Sequence, residues 1–422
     1  MKIKKIKSIQ ILDSRGNPTI KTTVFLEDGN AGSFSVPSGV STGKYEALEL
    51  RDKNGNVKKA IENVEKIIAP KLIGKLAKDQ EKIDKMMIQE DGTSNKCNLG
   101  TNTILSVSGA CAKAAANSLK VPLYQYLAKF FKIPQIWLLP IPLMNFINGG
   151  KHAQNSTDFQ EYLILPLGAK NFFQAVQMGK KIFHGLKNII QENKIEFSLG
   201  DEGGFGLTLK SNSQPIKILI QAIERAGFQP RKEILIALDP AASEFFYKGV
   251  YFLKNEGVTL TTKEMIAFYQ TLVNNYPICS IEDGFDQEDW TGFSQLTALL
   301  GEKIQIVGDD LYVTNPDRLK KGIQLKATNA ILIKPNQIGT LTETVQVIKT
   351  AQKAGFQTII SHRSGETDET FIADLAVASN SGQIKTGALG QPERWAKYNR
   401  LLEIEKELGN KAKLSPFPYS YS

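Results

Sequence analysis

"NAILIKPNQIGT", residues 329–340, is an apolar run that ends in a lysine and is followed at once by a proline. Four apolar residues lead directly into Lys334, as in a strand that enters the protein interior and ends in a cation. Pro335 favours an extended backbone at the residue before it and cannot donate a ladder hydrogen bond, which suits the residue after a strand. The stretch therefore predicts a strand with Lys334 at its carboxyl end.

The same pattern recurs through the second part of the chain, where apolar runs of strand length alternate with helical stretches and end in charged or polar residues. The runs are "EYLILPLG", "FSLGDEGG", "ILIALDP", "ICSIEDG", "IQIVGDD", "AILIKPN", "TIISHRSG" and "IKTG". An extra segment around "YKGVYFLKNEG" interrupts the otherwise regular spacing. Eight such runs predict a closed β/α barrel with its reactive groups at the carboxyl ends of the strands. An open, doubly wound sheet is the alternative.

The first part of the chain has a different texture. "SIQILDS", "TIKTTVFLE" and "AGSFSVPSG" predict a three-stranded antiparallel meander, and "VKKAIENVEKIIAPKLIG" and "TNTILSVSGACAKAAANSL" predict helices, the second of them buried. We expect a small α+β domain over residues 1–135 and a barrel domain over residues 136–422. The uncharged run 133–150 contains three prolines, so we expect a connector between the domains rather than a membrane span.

Composition excludes several classes of protein. The net charge is +9, but 52 basic and 43 acidic residues are interleaved along the chain, which argues against nucleic-acid binding as the main function. The three cysteines have no CxxC spacing, so neither a disulfide framework nor a zinc site is expected. The basic N-terminal residues lack the apolar core of a signal peptide. We expect a cytoplasmic protein.

Three successive strand ends carry carboxylates, namely Asp239, Glu282 and Asp309. A single acid at such a place usually caps the next helix, but three acids at one barrel mouth would repel one another unless a cation lies between them. Ligation by oxygen alone selects Mg²⁺ rather than zinc.

The next strand ends carry cations and other polar groups: Lys334, then His362, Arg363 and Ser364, then Lys385. Such a cluster beside a metal suits a substrate with several negative charges, such as a phosphate and a carboxylate. Lys334, near metal ions and a second lysine, is expected to be a neutral amine that can accept a proton. His152 lies in a glycine-bearing loop, whereas His184 fits an ordinary helix position.

The chain resembles the enolase family, of the bacterial type, over essentially its full length. The matching stretches are "DSRGNPT", "VPSGVSTGKYEALELRD", "NGGKHAQNSTDFQE", "GDEGGF", "ALDPAASEF", "SIEDGFDQEDW", "VGDDLYVTNP", "LIKPNQIGT", "SHRSGETDETFIADLAV" and "GQIKTGA". The resemblance implies an enolase-type, eight-stranded, TIM-like β/α barrel preceded by a small α+β capping domain. It also implies reversible dehydration of 2-phosphoglycerate to phosphoenolpyruvate, with two Mg²⁺ ions per site, by a glycolytic hydro-lyase.

The resemblance also implies roles for individual residues. Lys334 matches the base that removes the C2 proton, and Glu202 matches the acid that assists loss of the C3 hydroxyl. Supporting catalytic positions are Glu161, His152 and His362. Substrate-binding positions are Gln160, Lys334, Arg363, Ser364 and Lys385, and metal-binding positions are Asp239, Glu282, Asp309 and Ser41.

Other readings of the resemblance remain open. The first alternative is another enzyme of the enolase superfamily, which would share the barrel and the proton abstraction but act on a different substrate. The motif around Ser41 and "SHRSGE" argue for a phosphorylated substrate and against this alternative. Members of the family form homodimers or larger homo-oligomers. Many microbial members also have a secondary pool at the cell surface, where they bind plasminogen, or join an RNA-degrading assembly. The final residues "PFPYSYS" contain no lysine, so the sequence gives these roles no support.

The chain departs from the family pattern at several places. After "GQIKTGA" the family usually continues with proline, a small residue and arginine, whereas this chain has Leu389, Gln391 and Pro392 at those places. We therefore expect the local loop and its contacts to differ from those of the family. Gly206 and Leu207 replace the usual Ala-Pro, and Pro335 replaces an aliphatic residue.

Two further departures reverse charge. Lys21 stands where the family commonly has glutamate, and Glu403 stands where it commonly has arginine. We hypothesise that these two form an inverted ion pair between subunits; independent surface drift is the alternative.

Overall fold

The computed structural model describes residues 1–39, 43–134 and 136–419. Its strands, in chain order, are β1 Ile3–Leu12, β2 Pro18–Leu26, β3 Ala31–Ser35, β4 Leu138–Leu139, β5 Ile141–Asn148, β6 Glu161–Leu165, β7 Phe197–Leu199, β8 Phe205–Leu207, β9 Leu235–Asp239, β10 Phe246–Tyr247, β11 Val250–Leu253, β12 Val258–Leu260, β13 Ile278–Glu282, β14 Gln305–Gly308, β15 Ala330–Ile333, β16 Gln357–Ser361, β17 Gly382–Lys385 and β18 Lys413–Leu414.

The helices are α1 Lys58–Glu62, α2 Ala69–Leu72, α3 Gln80–Asp91, α4 Thr101–Leu119, α5 Leu123–Phe131, α6 Phe172–Glu192, α7 Gln214–Arg225, α8 Thr262–Asn275, α9 Trp290–Leu300, α10 Pro316–Leu325, α11 Pro335–Ile338, α12 Leu341–Lys353, α13 Phe371–Ala378 and α14 Pro392–Leu408. One π-helical segment, Asn63–Ile68, joins α1 to α2. Short 3₁₀ turns cover Gly150–His152, Ala242–Phe245 and Gly409–Lys411.

The N-terminal part contains the expected meander. Strands β1, β2 and β3 pair antiparallel in sequence order, as the alternating pattern predicts. Helix α4 is buried along most of its length because its residues are small and apolar, which lets it pack closely against the sheet. Residues 57–74, predicted as one helix, form α1, the π-helical segment and α2 in direct succession.

The second part is a closed barrel of eight strands. Its ring runs β5, β6, β9, β13, β14, β15, β16, β17 and back to β5, which excludes the open sheet. Strand β6 lies antiparallel to both of its neighbours, and the other pairs of the ring are parallel. Apolar side chains from these strands, such as Leu163, Leu332 and Ile359, fill the interior. Because the barrel is filled, chemistry is confined to its rim.

Two expectations about the barrel strands are wrong. The supposed connector, residues 133–150, contains β5, which is buried throughout and pairs with both β6 and β17. A strand buried on both faces reads as an uninterrupted apolar run, which is why it resembles a linker with prolines rather than an alternating strand. The run "FSLGDEGG" instead contributes β7, which with β8 forms a hairpin attached to β5 outside the ring.

The end of β15 confirms the interpretation of residues 329–340. The strand stops at Ile333, Lys334 has an extended backbone, and Pro335 is the first residue of α11. Proline is favoured at the first helical position because that residue's N–H would have no partner in the helix. The proline therefore ends the strand and starts a helix in one step, which leaves Lys334 at the rim.

The N-terminal part is tied to the barrel by a buried carboxylate. Asp84 of α3 accepts hydrogen bonds from the backbone N–H and the hydroxyl of Thr342, at 2.9 and 2.6 Å, in the first turn of α12. Its other oxygen accepts from Gln80 and from Ser108 of α4. A carboxylate at a helix N-terminus satisfies free N–H groups and is favoured by the helix dipole. This contact fixes α12 against α3 and α4.

Within the described part of the chain, no helix combines the length and apolar character needed to cross a membrane.

Candidate active site

The barrel mouth holds a cavity that is lined by nearly all the predicted site residues. Its lining comprises His152, Gln160, Glu161, Glu202, Asp239, Ala241, Asp283, Asp309, Asp310, Lys334, Ser361, His362, Arg363, Ser364 and Lys385. Of the predicted residues that the structure describes, Glu282 lies just behind this lining, where it contacts Lys385. The prediction for Ser41 lies outside the described residues. The strand register therefore brings together groups that are far apart in sequence.

Lys385 lies at the centre of the carboxylates. Its ammonium nitrogen is 2.9 Å from a carboxylate oxygen of each of Asp239, Glu282 and Glu161. Burial lowers the pKa of Lys385, but these three charges outweigh that effect and hold the pKa well above its usual value. Lys385 is therefore a fixed cation.

Lys334 contacts a different carboxylate. Its ammonium group bonds to Asp309, whose other oxygen accepts from Gln337 at 3.1 Å. Burial and the charges of Arg363 and Lys385 lower the pKa of Lys334, as predicted, but the Asp309 carboxylate outweighs them and the pKa is raised. With the protein's own groups alone, the ammonium form of Lys334 is thus favoured, and the neutral amine expected beside metal ions stays a prediction.

The cavity carries more carboxylates than cations. Beside Asp309 lie Asp283 and Asp310, two acids that the sequence analysis did not assign to the site. The three offer one oxygen each within 4.8 Å of one another. Burial and the Asp309 charge raise the pKa of Asp310 to about 8, and burial with the charges of Asp310 and Asp309 raises that of Asp283. The surplus negative charge and the all-oxygen donor set fit a hard divalent cation such as Mg²⁺.

Glu202 lies on a loop between β7 and β8, held by groups from other elements. Asn145 of β5 donates to its Oε2 atom at 3.0 Å, and Nε2 of His362 lies 3.1 Å from the same oxygen. Nδ1 of His152 lies 3.9 Å from the other oxygen and 3.4 Å from Glu161.

The pKa values of the two neighbouring glutamates are shifted in opposite directions. Burial raises the pKa of Glu161, and the Glu202 charge raises it further. Burial also acts to raise the pKa of Glu202, but His362 and His152 outweigh it and the pKa is well below its usual value. Ionisation of one of two neighbouring carboxyls disfavours ionisation of the other, so Glu161 binds a proton more readily than Glu202 does.

Arg363 is held by a residue that the sequence analysis quoted but did not assign. Glu46, in "STGKYEALELRD", accepts two hydrogen bonds from the Arg363 guanidinium at 2.9 and 3.2 Å. Asn336 accepts a third at 3.1 Å. A carboxylate that binds both arms of a guanidinium fixes its plane. Glu46 lies in a stretch that matches the family, but nothing in the sequence pairs it with Arg363.

The departures after "GQIKTGA" leave the loop next to Glu202 packed. The backbone N–H of Ala388 donates to the Glu202 carbonyl at 3.0 Å. Pro392 begins α14 at a position that favours proline. The side chain of Gln391 lies against Gly203. This loop therefore makes a closed contact with residues 201–204.

His184 is exposed on α6, away from the cavity, as expected for an ordinary helix residue.

Comparison with protein families covers both parts of the chain. A family model described as "Enolase, C-terminal TIM barrel domain" matches residues 136–417, and one described as "Enolase, N-terminal domain" matches residues 3–127. The matched ranges include the eight-stranded barrel, the N-terminal meander and every residue of the cavity. Membership of this family indicates a lyase. The chain belongs to the enolase family.

Proposed function

We propose that the chain is a glycolytic enolase that reversibly dehydrates 2-phosphoglycerate to phosphoenolpyruvate. One observation carries this proposal: a single cavity contains a lysine at a strand end, a buried glutamate on a loop, an arginine and a surplus of carboxylates. Lys334 follows β15, whereas Glu202 is bonded by Asn145 of β5, three strands away around the ring. Two proton-transfer groups so separated can act on two different carbons of one small substrate.

In the proposed reaction, Lys334 takes the proton from C2 of the substrate. The electron pair of that C–H bond is held first on the substrate carboxylate and then forms the C2–C3 double bond. The C3–O bond breaks, and a proton delivered through Glu202 converts the departing hydroxide into water. Because the pKa of Glu161 is raised and that of Glu202 is lowered, we propose that Glu161 takes up a proton and passes it to Glu202 once the substrate is bound.

The substrate cradle comes from the remaining lining residues. Arg363 and Ser364 would bind the phosphate, since a guanidinium matches phosphate oxygens with two parallel hydrogen bonds. Oε1 of Gln160 is buried in the lining without a hydrogen-bond partner among the described residues, and it is free to accept from a substrate hydroxyl. Lys385 and His152 complete the cradle.

The acids of the strand ends would hold two Mg²⁺ ions, with Asp239, Glu282 and Asp309 as the first set and Ser41 in the second. When bound, the ions would neutralise the charge that builds on the substrate carboxylate. Lys385 and Lys334 now contact these same carboxylates, so cation binding would compete with them. Loss of the contact with Asp309 would remove the charge that raises the pKa of Lys334 and would favour its neutral form.

Purified protein mixed with 2-phosphoglycerate and Mg²⁺ tests the proposal, because the enol product absorbs in the ultraviolet. We expect absorbance to grow, to stop on chelation and to be absent with Lys334→Ala. A non-phosphorylated 2-hydroxy acid is expected to give no signal. Turnover of that acid but not of 2-phosphoglycerate would instead identify another enzyme of the superfamily.

We also propose that residues 1–135 act as a capping domain for the barrel of residues 136–422. The protein forms homodimers or larger homo-oligomers. It works in the cytoplasm, in keeping with free cysteines that form no disulfide.

Lys21 lies on β2 and Glu403 on α14, where Glu403 accepts from Arg400 at 3.1 Å within its own chain. An exposed carboxylate can accept hydrogen bonds from two cations, so the contact with Arg400 leaves room for Glu403 to pair with Lys21 of a second subunit as well.

A further inference from the structure

Arg394 is among the largest side chains that are completely buried, yet it is charged. It lies in the first turn of α14 and points toward two segments of the barrel mouth, residues 201–204 and residues 362–364. Burying a cation is costly unless every polar group finds a partner. Its contacts therefore show what it does.

All four terminal N–H groups of Arg394 are used. Nη1 donates to the Arg363 carbonyl at 2.7 Å and to Nδ1 of His362. Nη2 donates to the carbonyls of Ser364 and Asp201, at 2.8 and 3.1 Å. One side chain thus joins the segment that follows β16 to the loop that carries Glu202.

The bond to His362 has a consequence for the imidazole ring. A guanidinium stays protonated and has no acceptor, so it can only donate. Nδ1 of His362 must then be the acceptor, and in the neutral ring the proton lies on Nε2. Burial, together with the Arg394 charge, outweighs the Glu202 charge and lowers the pKa of His362 to about 4, so the ring is neutral at neutral pH.

The Nε2 atom that carries the proton is the one that faces Glu202, at 3.1 Å from its Oε2 atom. Its N–H lies off the line of a strong hydrogen bond in this structure. With the opposite tautomer, two lone pairs would face each other across that gap. Arg394 therefore determines whether His362 presents a donor or an acceptor to Glu202.

We propose that Arg394 is a positioning residue that fixes His362 as the Nε2–H tautomer and holds the Glu202 loop against the end of β16. The role in turnover rests on the proposed function, in which Glu202 delivers a proton to the leaving hydroxide. The tautomer itself does not depend on that function. Arg394 touches no substrate atom in this account and acts only through His362 and the loop.

Imidazole nitrogen NMR on protein labelled with ¹⁵N-histidine tests the proposal directly, since the chain has only three histidines. His362 is assigned by the signal that disappears in His362→Gln, and His184 by the one that disappears in His184→Gln. In the wild-type protein we expect a proton on Nε2 of His362 and a bare Nδ1. A proton on Nδ1 would overturn the proposal whatever the variants do.

Arg394→Met removes the donors while keeping a long apolar side chain, and Arg400→Met is the matched control. Arg400 lies on the same helix and bonds to Asp374, Glu403 and Glu407, none of which touches the cavity. We expect Arg394→Met to shift His362 toward the Nδ1–H form and Arg400→Met to leave it unchanged. An unchanged tautomer in Arg394→Met, or an equal shift in both variants, would contradict the proposal.

Kinetics give a second readout that a loss of stability alone would not produce. Arg394→Met is expected to lower kcat by about 10²-fold, in the range of one misplaced proton-transfer group, while exchange of the C2 proton with solvent continues. Loss of C2 exchange together with turnover would show that the variant damages the whole site. If wild-type protein does not turn over 2-phosphoglycerate, the proposed function fails while the NMR result still decides the tautomer.

Discussion

Two groups of residues in the barrel mouth are positioned in different ways. In the first group, here called the strand side, Asp239, Glu282 and Lys385 are the last residues of their strands, and Asp309 and Lys334 directly follow theirs. In the second group, here called the loop side, Glu202, His152 and Arg363 lie on loops and are held by residues from elsewhere, such as Arg394 and Glu46. The strand side is positioned by the sheet itself, whereas the loop side depends on buried contacts from α14 and the N-terminal part.

The strand side and the loop side are therefore sensitive to different kinds of substitution. A substitution on the strand side removes a charge but leaves the backbone in place, because parallel ladders fix the strand ends. A substitution in a residue that supports the loop side, such as Arg394, displaces a site residue whose own side chain is unchanged.

The largest effect is expected from a strand-side acid. Asp239→Asn keeps the shape of the side chain but removes one charge from the set proposed to hold Mg²⁺. We expect the apparent Mg²⁺ affinity and turnover to fall by about 100-fold or more, with an unchanged circular dichroism spectrum.

Titration calorimetry with Mg²⁺ measures this change, and Asp317→Asn is the control because Asp317 is exposed on α10. Equal Mg²⁺ affinity in Asp239→Asn and in wild-type protein would remove Asp239 from the metal set.

A smaller effect is expected from the packing that supports the loop side. A Cβ at Gly387 would lie 2.9 Å from Cδ of Arg394 and 3.0 Å from the Glu202 carbonyl oxygen. Gly387→Ala should therefore displace the Glu202 loop and lower both kcat and the free energy of unfolding.

Gly355→Ala is the matched control, since Gly355 has nearly the same φ, +81° against +80°, with nothing near its would-be Cβ. Both variants incur backbone strain of about 1 kcal/mol, and Gly387→Ala should lose about 1–3 kcal/mol more, as measured by urea unfolding. Identical losses would mean that the contact with Glu202 and Arg394 does not matter.

Lys21 and Glu403 lie outside the barrel mouth, so substitutions there affect neither the strand side nor the loop side. Lys21→Glu or Glu403→Lys alone should weaken dimerisation by about 1 kcal/mol or less, and the double variant should restore it. Sedimentation at several protein concentrations measures this effect. If the three variants dimerise equally, Lys21 and Glu403 do not pair across subunits.

The smallest effect is expected at Pro335. If β15 itself places Lys334, then Pro335→Leu should leave turnover within a few-fold of wild type, because leucine also fits the start of α11. A loss of about 100-fold would show that the strand side needs local support as well.

The comparison also explains what could be predicted from the sequence. The strand-side residues were found because an apolar run that ends in a charge is a local pattern, and eight repeats of it indicate a barrel. Strand β5 was missed because a fully buried strand lacks alternation, and β7 was misplaced because its apolar run resembles a core strand. The family resemblance supplied Glu202 and the roles of His152 and His362, which the local patterns placed only in a loop and at a strand end.

The supports of the loop side could not be predicted from local patterns. Arg394 follows a proline and a glutamate at the start of an amphipathic helix, where an arginine normally lies in solvent. Its burial depends on how α14 packs against segments about 30 and 190 residues away. Likewise, the contact between Glu46 and Arg363 joins two parts of the chain that the sequence does not relate.

The central claim is that the strand-borne Lys334 removes the C2 proton and the loop-borne Glu202 serves the later loss of hydroxide. Proton NMR of 2-phosphoglycerate in D₂O with Mg²⁺ separates the two steps, because reversible removal of the C2 proton exchanges it for deuterium. The account predicts that Glu202→Gln still exchanges the C2 proton while forming almost no phosphoenolpyruvate, and that Lys334→Ala does neither. Exchange at the wild-type rate by Lys334→Ala, or its loss in Glu202→Gln, would contradict the account.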